Sequence, residues 1–360
     1  MRKIRLLISL SLVLFCVHQI SAQRHSYGHR KQKPTVYMVA FEQVDTVNCP
    51  IQQTIAQNNL AAQSVRADFA ETHRRGFQQL HNPQFVFTTK NNRFSLGIGG
   101  EINLRASYDL KGAVDNIDFV PYDIPMDATF ANRQRIMMDA TTSRLFTKAV
   151  INSPTLGQVV AFVDMDFRGG EEFSYTPRLR SGYVSMFGLT VGRDVSTFCD
   201  LTAAPTTIDF QGPNAYNFNF ATMIRYEYSF LNRHMKLGVA AEMPKVSAIY
   251  GTTLDAVPQR VPDFPVYLQY AWGKNRQSHI RASAVFRNMY LYNKERDVTS
   301  DLFGWGVQAS GNIHIAKVLQ IFFNGVYGEG ITPYIQDLTG NGLDFTPNPQ
   351  DPTRVQTMPM

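Results

Sequence analysis

From Phe94 onward, apolar and polar side chains alternate with a period of two, in one long run after another. In the first run Leu96, Ile98, Ile102, Leu104, Ala106 and Tyr108 fall on one face, and Glu101, Asn103, Arg105 and Ser107 on the other. A period of two belongs to a β-strand whose two faces meet different surroundings. Strands of soluble sheets run to about five or six residues, whereas a strand crossing a bilayer needs ~9–11. The length of these runs is therefore the tightest constraint on what the chain can become.

The pattern recurs. Val159, Ala161, Val163, Met165 and Phe167 oppose Gln158, Asp164, Asp166 and Arg168. Ile224, Tyr226, Tyr228 and Phe230 oppose Arg225, Glu227 and Ser229, and Ile280, Ala282, Ala284 and Phe286 oppose His279, Arg281, Ser283 and Arg287. With weaker strands near 135–151, 178–187 and 189–198 the runs number about 11. Short turns at Asn152–Leu156, Gly188, Leu231–Arg233, Lys274–Ser278 and Lys317 alternate with long connections at 110–134, 169–177, 199–216, 245–263, 288–301 and from 331 onward. Short, long, short, long is the topology of an outer-membrane barrel, with tight periplasmic turns and extended outer loops. A soluble β-sandwich that binds carbohydrate shares the period but not this combination of strand length and turn pattern. Tyr108, Tyr226, Tyr228, Trp272, Trp305 and Tyr327 suit the aromatic girdles at the lipid interfaces. The fold class read here is all-β, a transmembrane antiparallel barrel over 93–360. Because single-chain bacterial barrels have even strand counts, an odd number of runs ending in a Pro-rich loop predicts a chain that stops before closure.

The N-terminus reads differently. Arg2, Lys3 and Arg5, the apolar run Leu6–Val17 and Ile20-Ser21-Ala22 predict a cleaved export signal over 1–22. An extended basic tail occupies 23–49. Over 50–82 the spacing of Ile51, Ile55, Ala62, Val65 and Phe69 predicts a helical segment, either one amphipathic helix or a short periplasmic coiled coil. No later stretch is apolar for the roughly 20 residues that a membrane helix requires. Beyond the signal only Cys49 and Cys199 remain, too few and too far apart for a disulfide framework. Residues 1–93 carry 12 Lys/Arg against 4 Asp/Glu, while 94–360 carry 23 against 25. The basic surplus thus sits ahead of the alternating region, which argues against a nucleic-acid partner, since that needs a basic face on a folded unit.

Two features carry candidate chemistry. The stretch from Asp200 through Pro205 and Asp209 to Gly212-Pro213 predicts a stiff loop, able to fold inward and narrow a lumen or to cap the barrel outside. Arg178, Arg180 and Arg225 lie on polar faces with Asp164 and Asp166, and Arg193 sits in the strand entering the loop. Arginine stays charged and binds carboxylates bidentately, so a cluster of this kind in a pore concentrates anions. The alternative is a structural network with Asp164, Asp166, Asp200 and Asp209. Enzyme readings have less behind them. Asp164 and Asp166 imitate the carboxylate pair of a glycosidase, and an outer-membrane lipase or protease would need a Ser/His/acid set at the rim. Asp337, Asn341 and Asp344 lack the alternating ligands and terminal Glu of a calcium loop. No catalytic residue, metal or cofactor is expected.

Several segments resemble one known family in order: GQVVAFVDMDF at 157–167, RLR at 178–180, GRDVSTFCD at 192–200, APTTIDFQGP at 204–213 and YIQDL at 334–338. Together they are similar to the DcaP-like porins over roughly 94–345. The resemblance implies a homotrimeric barrel of about 16 strands, in the even-numbered range of bacterial barrels, often with an N-terminal coiled coil. It also implies passive passage of small anionic solutes such as dicarboxylates, with outer-membrane lipid as the other partner. On that count about five strands lie beyond the runs seen here.

Overall fold

The structure is a computed structural model, and it describes residues 36–39, 65, 69, 78, 83–89 and 92–360, apart from 115–120, 128, 172–173, 208–209, 274–275 and 317–318. The expected export signal and most of the tail and helical segment lie outside the described residues, as does Asp209. The strands, in chain order, are β1 (Val36–Val39), β2 (Phe85–Thr89), β3 (Phe94–Glu101), β4 (Arg105–Lys111), β5 (Arg133–Asp139) and β6 (Arg144–Ser153). There follow β7 (Gly157–Asp166), β8 (Arg178–Met186), β9 (Leu189–Val195), β10 (Phe220–Phe230), β11 (Met235–Glu242) and β12 (Leu254–Ala256). The last are β13 (Phe264–Trp272), β14 (Ser278–Asn293), β15 (Val298–Ala316), β16 (Leu319–Glu329), β17 (Phe345–Asn348) and β18 (Asp351–Thr357). No helix among the described residues is long and apolar enough to cross a membrane.

One antiparallel sheet of 14 strands contains most of these, in the order β1-β2-β3-β6-β7-β8-β9-β10-β11-β13-β14-β15-β16, with β12 attached to β14. Apart from the β3–β6 and β11–β13 steps, sequence neighbours are sheet neighbours, as an up-and-down barrel demands. All 11 alternating runs are present as strands. Two of them are interrupted, so that β4 and β5 form a separate hairpin beyond β3 and β6. Short strands at 36–39 and 85–89 precede the expected start of the barrel. Among the described residues the sheet is open, with β1 and β16 at its ends. Met360 and Gly328 exchange backbone hydrogen bonds of 2.9 and 3.1 Å, placing the last residues on the outer edge of β16.

The two faces of the sheet invert the soluble pattern. Val163, Val184, Val191, Ile224, Val239, Leu268, Ile280 and Val307 are large, apolar and exposed. Asp164, Arg180, Thr190, Gln269, Ser283, Gln308 and Ser310 are polar and buried. Water would penalise such an exposed face, whereas hydrocarbon favours it. Aromatic rings bound the apolar face at two heights. Near the short turns, Tyr228 stacks on Phe230 at 6.0 Å and Tyr270 on Trp272 at 5.7 Å. Near the long loops, Phe286 meets Phe303 at 6.5 Å and Trp305 meets Tyr327 at 5.9 Å. On β13 the belts are marked by Phe264 and Tyr270, six residues or ~20 Å apart, close to the ~25 Å of an outer-membrane apolar band.

Leu268 lies between the belts on this face, so Leu268→Arg is expected to destabilise the barrel by ~2–4 kcal/mol. Equilibrium folding into lipid vesicles reads that loss directly. Gln269→Arg, on the polar side, serves as the inward control, and an equal loss there would contradict the assignment of faces.

Above the upper belt the rule reverses. In β14 Met289 and Leu291 are buried on the side that carries Arg287, and Asn288, Tyr290 and Tyr292 take the other. Met289 and Leu291 join Leu254 and Phe345 in a core beyond the membrane band. The expected loop 288–301 is therefore mostly strand: β14 and β15 stay paired up to Asn293 and Val298, and only 294–297 turn. Out of lipid the strands obey the soluble rule, apolar in and polar out.

Candidate functional site

The loop between β9 and β10 runs over the polar face and is anchored at both ends. At one end Asp200 caps the short turn Leu201–Ala203 and accepts from Thr202 Oγ1 at 2.7 Å. The same carboxylate bonds His279 Nε2 on β14 at 2.9 Å and Ser310 Oγ on β15 at 2.7 Å. All three side chains are buried. Burial pushes the Asp200 carboxyl up, but the His279 hydrogen bond and the charge of Arg281 outweigh it and hold it well below the usual carboxylate range. Asp200, His279 and Ser310 are the residue types of a hydrolytic triad in the wrong order. The hydroxyl and the imidazole are both spent on one carboxylate oxygen, where a triad needs nucleophile bonded to base. The cluster is an anchor.

Just ahead of Asp200 the loop packs Phe198 and Cys199 against Val285, Ile331 and Tyr334. Pro205 follows the turn, half-buried, and Gly212 takes φ +79°, a left-handed turn that favours glycine, just ahead of Pro213. The returning arm is stitched to a second inner segment: Phe218 N donates to Tyr334 O at 2.9 Å and Gln336 N to Tyr216 O at 3.0 Å. The tip, Phe210, reaches the polar face near β4 and β8, where the guanidinium groups of Arg168, Arg180 and Arg105 stand 5.0, 5.4 and 5.9 Å from its ring.

Those arginines belong to a ladder across β4 to β8. Arg144 pairs with Asp164, and Arg180 lies 3.6 Å from Asp164 and 3.0 Å from Asp166. Arg178 bonds Asp166 at 2.5 Å and Arg105 bonds Asp139 at 2.5 Å. A register shift between Asp164 and Met165 turns both Arg180 and Ser181 inward, which a regular strand cannot do. Around Phe210, then, the guanidinium groups of Arg105, Arg144, Arg168, Arg178 and Arg180 meet the carboxylates of Asp139, Asp164 and Asp166. Among the described residues there the guanidinium groups outnumber the carboxylates.

On the far side of the loop lies a second polar cavity of about 340 Å³, lined by Thr197, Asp200, Arg225, Glu227, Lys236, Tyr267 and Arg281 among others. Arg225 bonds Asp194 at 2.8 Å, and the Arg281 guanidinium lies 3.6 Å over the Tyr267 ring. Five of the proposed selectivity residues thus sit on the polar face: Arg178, Arg180, Arg225, Asp164 and Asp166. Arg193 stands 5.6 Å over the Phe220 ring, which Arg180 also approaches, at 5.0 Å. The Arg193 Nε donates to Leu179 O at 3.2 Å. Arg144, Arg281, Phe210 and His279 were missed as site residues. Parity flags Arg281 and His279, which oppose Ile280 and Ala282, but nothing local points to Phe210.

Among the described residues no group of three His, Cys, Asp or Glu side chains is placed to hold a metal ion. A long antiparallel up-and-down sheet, apolar on one face and polar on the other, is the architecture of an outer-membrane β-barrel channel. The family model of the DcaP outer membrane protein matches residues 77–276, and the chain belongs to that family. Among solved structures it is similar to the outer membrane channel DcaP of Acinetobacter baumannii, with 19% identity and a TM-score of 0.59 over 75% of this chain and 72% of that one. A slighter likeness, with 10% identity and a TM-score of 0.34, links 66% of this chain to 82% of OmpTdeltaL8, a loop-deletion mutant of the Vibrio cholerae outer membrane protein OmpT. No curated protein matches the sequence.

Proposed function

We propose that this porin is a passive, non-enzymatic diffusion channel preferring small anionic, dicarboxylate-like solutes. What supports the reading is the cluster of guanidinium groups from Arg105, Arg144, Arg168, Arg178 and Arg180 where the loop tip meets the wall, more numerous than the carboxylates among the described residues there. Arg178, paired with Asp166 through Nε and Nη2, is partly exposed, and a carboxylate solute can exchange onto its guanidinium. In a bore walled by low-dielectric protein such a cluster raises the local concentration of anions and opposes cations. A solute enters at the ladder, passes the 196–219 loop and leaves by the cavity at Arg225, Lys236 and Arg281. Export by the 1–22 signal and assembly as a homotrimer, as the family resemblance implies, complete the proposal.

In planar bilayers under a salt gradient, the reversal potential is expected to have the sign of anion preference. Double replacement Arg178→Gln/Arg180→Gln should move it toward zero. A cation-preferring wild type would overturn the proposed selectivity.

A further inference from the structure

The residues ahead of the barrel include three whose placement bears on the constriction. Val65 and Phe69 are fully buried with Val86 and Val150, on the face of the sheet that also carries Lys148, whose Nζ stands 5.2 Å from the Phe69 ring. Gly97 on β3 makes room for this. A Cβ there would come within 2.4 Å of the Phe69 ring, so the missing side chain is the socket in which the ring sits. These residues therefore lie on the bore side of the sheet, not its lipid side.

Gln78 lies at the ladder itself. Its Oε1 accepts from Arg180 Nη2 at 2.6 Å, its Nε2 donates to the carbonyl of Phe210 at 2.7 Å, and its own backbone carbonyl accepts from Arg144 Nη1. Asp166 takes the other terminal nitrogen of Arg180 at 3.0 Å. Arg180 is thus held between a carboxylate of the wall and an amide from outside it, and the same amide holds the loop tip. A glutamine suits this place because one planar group offers an acceptor to the guanidinium and a donor to the carbonyl. Glutamate lacks the donor, lysine the acceptor, and methionine both.

We propose that Gln78 is a positioning residue of the constriction, fixing Arg180 and the loop tip at Phe210 relative to one another, with Phe69 in its glycine socket as the anchor. The proposal deepens the anion-channel reading and rests on it for the meaning of Arg180. It adds that part of the selectivity machinery lies outside the barrel strands, in the segment before them.

The test is single-channel recording of the full-length protein in planar bilayers, with folding checked by heat-modifiable migration in detergent gels. Gln78→Met keeps the shape and removes the hydrogen bonds, and is expected to raise the rate of current flicker about tenfold, equivalent to ~1.4 kcal/mol. Gln78→Glu sets a carboxylate against Arg180 and is expected to shift the reversal potential toward cations, a change that a purely structural role would not produce. Wild-type behaviour of either variant overturns the proposal. Gly97→Val closes the Phe69 socket without touching Gln78 and is expected to flicker like Gln78→Met; a quiet Gly97→Val channel would remove the anchor from the account. A cation-preferring wild type would refute the anion-channel reading while leaving the flicker of Gln78→Met to decide whether the loop tip is held here.

Discussion

Asp200→Ala is expected to free the inward loop from the β14–β15 wall, with a larger and noisier single-channel conductance and a loss of ~3–5 kcal/mol in unfolding experiments, the usual cost of removing one partner of a buried pair. The reason is what stays behind. His279 and Ser310, both buried, keep their polar atoms and lose the carboxylate oxygen they share. Thr202 loses its partner too, and with it the short turn loses its cap. Asp200→Asn keeps one acceptor oxygen, replaces the other with an amide that only donates, and gives up the charge, so it is expected to lose less than the alanine variant, ~1.5–3 kcal/mol. If both variants unfold and conduct as the wild type does, the loop is held elsewhere. The pH dependence has a definite sign. A carboxyl depressed in the folded state stabilises above its unfolded pKa of ~3.9 and loses that contribution as the pH falls through the folded value. The anchor is accordingly expected to hold through neutral and mildly acid solution and to loosen only in strong acid.

Arg287→Met should be as damaging at the outer end of the bore. Arg287 is completely buried on β14 and donates to Asp263 Oδ2 at 3.1 Å, Asp344 Oδ1 at 3.1 Å and the carbonyl of Lys245 at 2.5 Å. It also bonds the Gly330 carbonyl and stands 5.5 Å over the Tyr334 ring. One guanidinium therefore ties the β11–β13 connection and the segment after β16 to the wall. Methionine in its place leaves two buried carboxylates uncompensated, and a loss of ~3–5 kcal/mol is expected, with early protease cutting in the outer loops. Adding Asp263→Asn and Asp344→Asn should recover most of it, because the cost lies in the stranded charge. Burial raises the pKa of Asp263 and Asp344, the Arg287 charge opposing that only in part. An acid whose folded pKa is raised gains stability as the pH falls through that value. The deficit of Arg287→Met should thus narrow between neutral pH and about pH 4, near the ordinary carboxylate pKa. A deficit that stays constant across that range would contradict the account.

How far the sequence could be read depends on the distance over which each feature is encoded. The strands of the membrane band were legible because lipid on one side and water on the other impose the same alternation on every one of them. Leu268 and Gln269 could be assigned to opposite faces from their neighbours alone. Residues 288–301 read as a loop by alternation of a single sign, yet they are mostly strand, because the sign changes where β14 leaves the lipid and Met289 turns inward.

The site was legible only in its charged residues. Asp164, Asp166, Arg178 and Arg180 share a short stretch of chain and a polar face. The partner of Asp200 is His279, and the partners of Arg180 include Gln78 and Phe210, far from it in sequence.

By itself the sequence determined that these strands span a membrane and which side of each is wet, because a period of two is a local property written every few residues. Tertiary structure alone decided where the loop is anchored, which charges neutralise one another and which group meets the tip at Phe210. Many of those contacts join residues tens of positions apart, and only the folded arrangement selects among the many partners that composition would allow.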